Sequence, residues 1–256
     1  MTELEQLLVG LNDFIWHGFT IFLRVASIAS MLPAFGEQSV PARVKLALAV
    51  AFTAVVAPAV PVGEIAEGPG GTTLLVLAEV SAGLVVGIGV RLFILALQTA
   101  GSIAAQSTSL SQVLGGAAVD PLPAMGYILI IGGMALAAMT GLHVKAAQLV
   151  ILSYQFLPLG RFSDASVISE WGVNQVARAF SLAFTLAAPF VILSVLYNFA
   201  LGAINRAMPQ LMVAFVGAPV ITLGGLALLL VSAPYMLAVW IEAVDSYMVN
   251  PFGNTP

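Results

Sequence analysis

From Ala207 to Ile241 the chain runs for 35 residues without one charged side chain. As a helix such a run would reach roughly 50 Å at about 1.5 Å per residue, and a soluble fold cannot easily hide it from water. A second run, Thr73–Ala105, spans 33 residues and is interrupted only by Glu79 and Arg91. Only 8% of all residues are charged, against about 25% in an average soluble domain. That is too little charge to coat a soluble surface. Lipid accepts apolar surface, so the chain reads as a polytopic membrane protein.

A bilayer core about 30 Å thick takes roughly 20 helical residues to cross. Apolar stretches of that order recur at Phe14–Leu32, Leu46–Val62, Thr73–Ala105, Ala124–Leu142, Ala146–Leu159, Ala179–Leu201 and Leu211–Ile241. Strict alternation is absent, which disfavours a transmembrane β-barrel. The expected fold is therefore all-α, with about seven long apolar helical segments, some kinked or broken, in a single domain over residues 1–256. The two longest stretches must tilt, kink, fold back or project within an assembly. Pro219, Gly224–Gly225 and Pro234 are the expected kink points of the last one.

Helix breakers set the connections. Pro33, Gly36 and Pro41 mark a first loop, Gly63–Gly71 a second, and Gly115, Gly116, Pro121 and Pro123 a third. Leu142–Lys145 reads as a tight polar turn, Arg161–Gln175 as a hydrophilic connection, and Arg206 with Pro209 as the next. Glu3, Glu5 and Asp13 precede the first apolar stretch and Arg24 interrupts it. Both features oppose a cleaved signal peptide and favour a retained helix. Arg43 and Lys45 flank the first loop, whereas Glu64 and Glu67 make the second acidic. The positive-inside rule then places the first loop in the cytoplasm and the N-terminus outside. Seven crossings would leave the C-terminus in the cytoplasm.

The chain carries little of what catalysis needs. It has no Cys and two His, His17 and His143. Disulfide frameworks, iron–sulfur clusters and Cys-based zinc sites are thereby excluded. No phosphate-binding G-x-x-x-x-G-K-[ST] loop, H-E-x-x-H or G-x-S-x-G motif occurs, and the eight basic residues form no patch for nucleic acid. No catalytic residue, metal ligand or cofactor is expected, and the chain is not read as an enzyme.

Charges inside apolar stretches are more informative. Arg24, Glu79 and Arg91 each cost about 2.5–3.5 kcal/mol on insertion scales, so each should meet an opposite charge, a carbonyl, a cavity or another subunit. Glu79, Gly83, Gly87 and Arg91 recur every four residues and share one helix face. Gly83 and Gly87 form a G-x-x-x-G notch that lets another helix approach closely. Gln98–Gln112 is rich in hydroxyls and amides and has no charge; Gly115, Gly116 and then Asp120-Pro121 follow it. One reading is an ordinary polar loop. The other is the end of a pore-lining helix followed by a mobile plug of Gln106, Ser107, Thr108, Ser109, Ser111, Gln112, Gly115, Gly116 and Asp120. In that reading Gly115–Gly116 is the hinge, and Asp120 with Pro121 starts the next helix.

Phe22-Leu23-Arg24, Pro33-Ala34-Phe35-Gly36-Glu37 and Pro41-Ala42-Arg43, the first of several blocks in order, resemble the opening signature of the FliR family of the bacterial flagellar export apparatus and its relatives in virulence type III secretion. Glu79 with Gly83 and Gly87 resembles the next block; Ala100-Gly101, Gln106 and Asp120-Pro121 resemble the third. Ser153-Tyr154 with Pro158-Leu159-Gly160 fits another, and Arg206, Pro209-Gln210-Leu211 and Gly217-Ala218-Pro219 resemble the C-terminal signature. Met212, Ser102 and Thr108 stand where the family often carries Asn, an acidic residue and Gly.

The resemblance implies a structural and gating subunit of a flagellar protein export channel in the inner membrane, at the base of the flagellum. It implies a single copy of this chain in a helical assembly with FliP and FliQ, with FlhA and FlhB as neighbours and unfolded proteins as cargo. An alternative reading from the residues is a subunit of a small-solute secondary transporter or channel, a class that also uses broken helices and intramembrane charges. Such transporters usually show related halves, and none is visible here.

Overall fold

A computed structural model describes residues 3–37, 39–61, 69–108, 124–208 and 213–253. Among the described residues the chain is built of α-helices and one 3-10 turn, with no strand. In chain order the helices are α1 (Glu3–Met31), α2 (Ala42–Val56, prolonged by the 3-10 turn Ala57–Ala59), α3 (Pro69–Thr108), α4 (Ala124–Met139), α5 (Leu142–Phe156), α6 (Ala165–Ala207) and α7 (Val213–Val249).

Local chemistry explains the helix ends. Pro41 precedes α2 with φ −59° and ψ 142°, and its carbonyl accepts from the amides of Val44 and Lys45. Asp164 caps α6: its Oδ1 accepts from the Ser166 amide at 2.9 Å and the Ser166 hydroxyl at 2.8 Å. Those two hydrogen bonds, the backbone one first, hold the Asp164 carboxyl below its ordinary range. Gly141 turns the chain between α4 and α5 with φ +81°, a left-handed conformation suited to glycine.

Three sequence expectations change here. The turn lies at Thr140–Gly141, so Leu142–Lys145 is the first turn of α5 rather than a loop. The hydrophilic stretch Arg161–Gln175 is helical from Ala165 onward, because the apolar run marks only the part of α6 suited to lipid. Against the seven crossings read from the sequence, five helices among the described residues are long and apolar enough to cross a membrane, and α4 and α5, bent by 77°, add one broken span. Pro189 in α6 and Pro219 and Pro234 in α7 all lie inside continuous helices, as membrane helices tolerate.

By packing, the chain divides into two compact units. The first comprises Met1–Leu92, Ala138–Gln175 and Val244–Pro256; the second comprises Phe93–Ala137 and Val176–Ala243. In the first, Ile21, Val25, Ile28 and Leu32 of α1 are buried, as are Leu75, Ala78, Ala82 and Val86 of α3 and Leu149 and Val150 of α5. In the second, Leu97, Ala100, Leu129, Phe190 and Trp240 are buried, and the Trp240 indole donates to the Phe93 carbonyl at 2.8 Å. There α3 and α4 meet backbone to backbone, since a Cβ on Gly101 would strike the Gly126 Cα.

Candidate functional site

The first unit encloses a polar node with no exposure at Arg24, Glu79 or Ser153. Arg24 on α1 and Glu79 on α3 form a two-pronged ion pair: Nε donates to Oε2 at 2.8 Å and Nη2 to Oε1 at 3.0 Å. Arg24 Nη1 donates to the Leu157 carbonyl at 2.7 Å and the Ser153 hydroxyl at 3.3 Å. Glu79 Oε1 also accepts from the Gly160 amide at 2.8 Å. The Arg24 guanidinium lies 3.8 Å from the centre of the Tyr154 ring, within reach of a cation–π interaction. The planar fork of arginine suits this role, because it serves a carboxylate and two further acceptors at once.

Each partner arrives by a local rule. Ser153 and Tyr154 lie in the last turn of α5, and Leu157 follows that turn, where an end-of-helix carbonyl lacks a helical partner. Gly160 has φ +68°, which lets the chain reverse and aim its amide at Glu79. The node thus ties α1, α3 and the segment after α5 together. Burying both charges is costly, and the full set of hydrogen bonds offsets that cost.

The Gly83–Gly87 notch lies directly beyond. A Cβ on Gly83 would sit 2.6 Å from the Ser27 Cβ and 2.7 Å from the Arg24 carbonyl oxygen. One on Gly87 would sit 2.8 Å from the Met31 Cβ. Contacts advance together along both chains, so α1 and α3 run parallel here. At the far end of the same α3 face, Arg91 Nη1 donates to Glu37 Oε1 at 2.6 Å. This pair is partly exposed, at 35% and 30%. Lys45 adds a hydrogen bond to the Gly36 carbonyl at 3.1 Å, so the first loop is held to both α2 and α3.

Other residues singled out in the sequence are placed as follows. Pro33 is buried, Gly36 half-buried, and Pro41 and Arg43 exposed. Arg206, expected from the sequence among the buried or assembly charges with Arg24, Glu79 and Arg91, is instead exposed in the last turn of α6, where a cation suits the helix dipole. Gly217 is buried, its carbonyl accepting from the Tyr197 hydroxyl at 2.6 Å, and Pro219 is exposed. Gln106, Ser107 and Thr108 form the end of α3. Gln106 is exposed, whereas Thr108 is buried and packs so closely that a Cβ on Gly225 would meet its methyl group at 2.5 Å. Ser109, Ser111, Gln112, Gly115, Gly116, Asp120, Pro209 and Gln210 lie outside the described residues.

Reading the sequence for chemistry passed over Leu157 and the pair Lys145–Asp245, whose Nζ–Oδ1 distance is 2.6 Å; Ser153, Gly160 and Glu37 entered only within family-like blocks, with no role of their own. The glycine after Pro158-Leu159 was the available signal for Gly160; no local signal pairs Lys145 with a residue 100 positions away. Among the described residues, no group of three or more His, Asp or Glu converges as a metal site.

Against known proteins, residues 15–247 match the family described as "Bacterial export proteins, family 1". The flagellar biosynthetic protein FliR of Caulobacter vibrioides is 33% identical over 226 residues, 87% of this chain and 90% of that protein. FliR of Escherichia coli K12 is 28% identical over 255 residues, 96% of this chain and 93% of that protein. FliR of Bacillus subtilis is 26% identical over 210 residues, 78% and 79% respectively. A helical membrane fold, the ordered motifs and these matches agree, and the chain belongs to the FliR family of bacterial export proteins.

Proposed function

We propose that this chain is a structural and gating subunit of the flagellar type III protein export channel, which passes unfolded flagellar proteins across the bacterial inner membrane. The observation that carries this reading is the match along nearly the whole chain to proteins named for flagellar biosynthesis, in a family named for bacterial export. The geometry fits a subunit embedded among others. The apolar spans of α3 and α7 are 39 and 31 residues long, or roughly 58 and 46 Å at about 1.5 Å per residue. Both exceed a hydrocarbon core of about 30 Å. Phe180, Phe184, Leu196 and Phe199 of α6 and Leu223, Leu230, Val231 and Tyr235 of α7 are exposed. Lipid accounts for part of that apolar surface, and neighbouring subunits account for the rest.

In this reading a single copy sits in one assembly with FliP and FliQ, next to FlhA and FlhB. The node at Arg24 and Glu79 is a fixed point of the scaffold and takes no part in moving cargo. The segment from Gln106 to Asp120, which has no Lys, Arg or Glu, is the plug: its hydroxyls and amides line a path without gripping a passing chain, and Gly115–Gly116 lets it move aside. The first loop faces the cytoplasm and the N-terminus lies outside. Deleting the gene in its own bacterium tests the proposal. Flagellar proteins should still be made but no longer appear outside the cell, and normal flagellar export in the deletion strain would refute it.

A further inference from the structure

In the second unit, beyond Pro189, α6 buries Phe190 and Ser194. Another side of the same helix carries Val191, Val195, Asn198, Gly202 and Asn205, all of them exposed. Their spacing runs four, three, four, three, which is the heptad seam along which two helices interlock. A Cβ on Gly202 would meet nothing of this chain within 4 Å, so the seam holds an open notch. Arg206 follows beside the seam and is exposed too. It is the only charged residue between Ala179 and Ile241, and among the described residues it forms no ion pair.

We propose that this seam docks one membrane helix of a different protein: apolar, with a hydroxyl or amide side chain opposite Asn198, a small residue opposite Gly202 and an Asp or Glu opposite Arg206. Depth and charge select that occupant over lipid and over a second copy. Asn198 lies eight residues before Arg206, roughly 12 Å along the helix at about 1.5 Å per residue. With Arg206 at the headgroups, lipid would meet the Asn198 amide inside the hydrocarbon. That amide makes one hydrogen bond, Nδ2 donating to the Ser194 hydroxyl at 3.3 Å. Its other polar groups would go unmet in lipid, at a cost, whereas a neighbouring helix can meet them. A glycine between two amides also lets a second backbone approach closely, which an acyl chain does not need. A second copy pairing through the same seam would bring another arginine and no carboxylate, since Ala179–Ile241 contains neither Asp nor Glu. Like charges facing each other suppress such pairing, and a foreign carboxylate rewards it. This contact requires only the helical membrane fold and holds whether or not the chain serves export.

Photo-cross-linking of the full chain in the membranes of its own bacterium is the test. A photo-reactive residue in place of Val195 should cross-link to one apolar segment of another protein. Peptide mapping should find an Asp or Glu in that segment about three turns from the cross-link, as Arg206 is from Val195. A photo-reactive residue in place of Leu196, on a different side of α6, should not reach it. Gly202→Leu should lower the yield about tenfold or more by filling the notch, while the chain's own stability stays unchanged, because nothing of this chain stands there. Arg206→Glu should lower it about tenfold, as for one charge-assisted hydrogen bond, and exchanging the mapped acid for Arg should restore it. That exchange still reports on the contact if Gly202→Leu does not fold. Cross-linking to lipid, to another copy of this chain or to nothing would overturn the proposal. So would a mapped segment without an acidic residue, or a yield that neither Gly202→Leu nor Arg206→Glu changes.

Discussion

Removing one half of the Arg24–Glu79 pair should be among the most damaging single changes in this protein. Both side chains are completely buried. Glu79→Leu leaves Arg24 charged, with Nε and Nη2 donating to nothing, and also removes the acceptor of the Gly160 amide. Arg24→Leu leaves the carboxylate with one of its three hydrogen bonds and the Leu157 carbonyl without its 2.7 Å donor. Breaking a buried pair from one side costs about 3–5 kcal/mol, a large fraction of the roughly 5–15 kcal/mol that holds a typical domain together. The double variant removes both charges. It should be less damaged than the sum of the two, losing mainly the backbone hydrogen bonds at Leu157 and Gly160, about 1–3 kcal/mol each. Unfolding the purified chain in mixed detergent micelles gives all four stabilities and hence a coupling energy, expected near 3 kcal/mol in favour of the pair. A coupling below about 0.5 kcal/mol, within the error of additivity for independent sites, would refute the reasoning.

Gly83→Leu should destabilise by about 1–3 kcal/mol in the same assay, the usual cost of overpacking, because the new Cβ meets the backbone carbonyl of Arg24 at 2.7 Å; unchanged stability would mean that α1 and α3 are not held this closely. The cap of α6 should depend on pH. Asp164 has its carboxyl lowered by hydrogen bonds in the folded state, so its contribution is complete above the unfolded value and is lost as pH falls through the folded value. Hydrogen exchange at the Ser166 amide should therefore lose protection in acid in wild type, and a profile identical to that of Asp164→Asn would contradict the cap. Deleting residues 109–116 spares the buried Thr108 at the end of α3; the plug reading expects an assembled complex that leaks ions, and normal membrane permeability with the complex intact would remove the plug.

Hydropathy made the helices legible, because a bilayer demands long apolar runs and tolerates few alternatives. It could not give helix ends. Ser166, Glu170 and Gln175 look like a loop by polarity, yet they continue α6; Asp164 followed by Ser166 was the better guide, since that pair supplies an N-cap. Apolar segments outnumber the helices long enough to span, among the described residues, for a related reason. Gly141 bends two helices of 16 and 15 residues against each other, and each alone is too short to span. At the polar node, four-residue spacing put Glu79, Gly83, Gly87 and Arg91 on one face of α3. The tertiary partners carried no such signal: Glu79 lies 55 residues from Arg24, and Arg24 lies 133 from Leu157. Backbone groups such as the Leu157 carbonyl and the Gly160 amide are invisible to a search for chemical side chains.

The most direct measurement of the central claim is the composition of the particle that contains this chain. The tagged chain, expressed at its natural level and purified in mild detergent, should come out in a discrete hetero-oligomer with FliP and FliQ. The intact mass should account for a single copy of this chain. Recovery of the chain alone or as a homo-oligomer, under conditions in which FliP and FliQ remain associated with each other, would contradict the account.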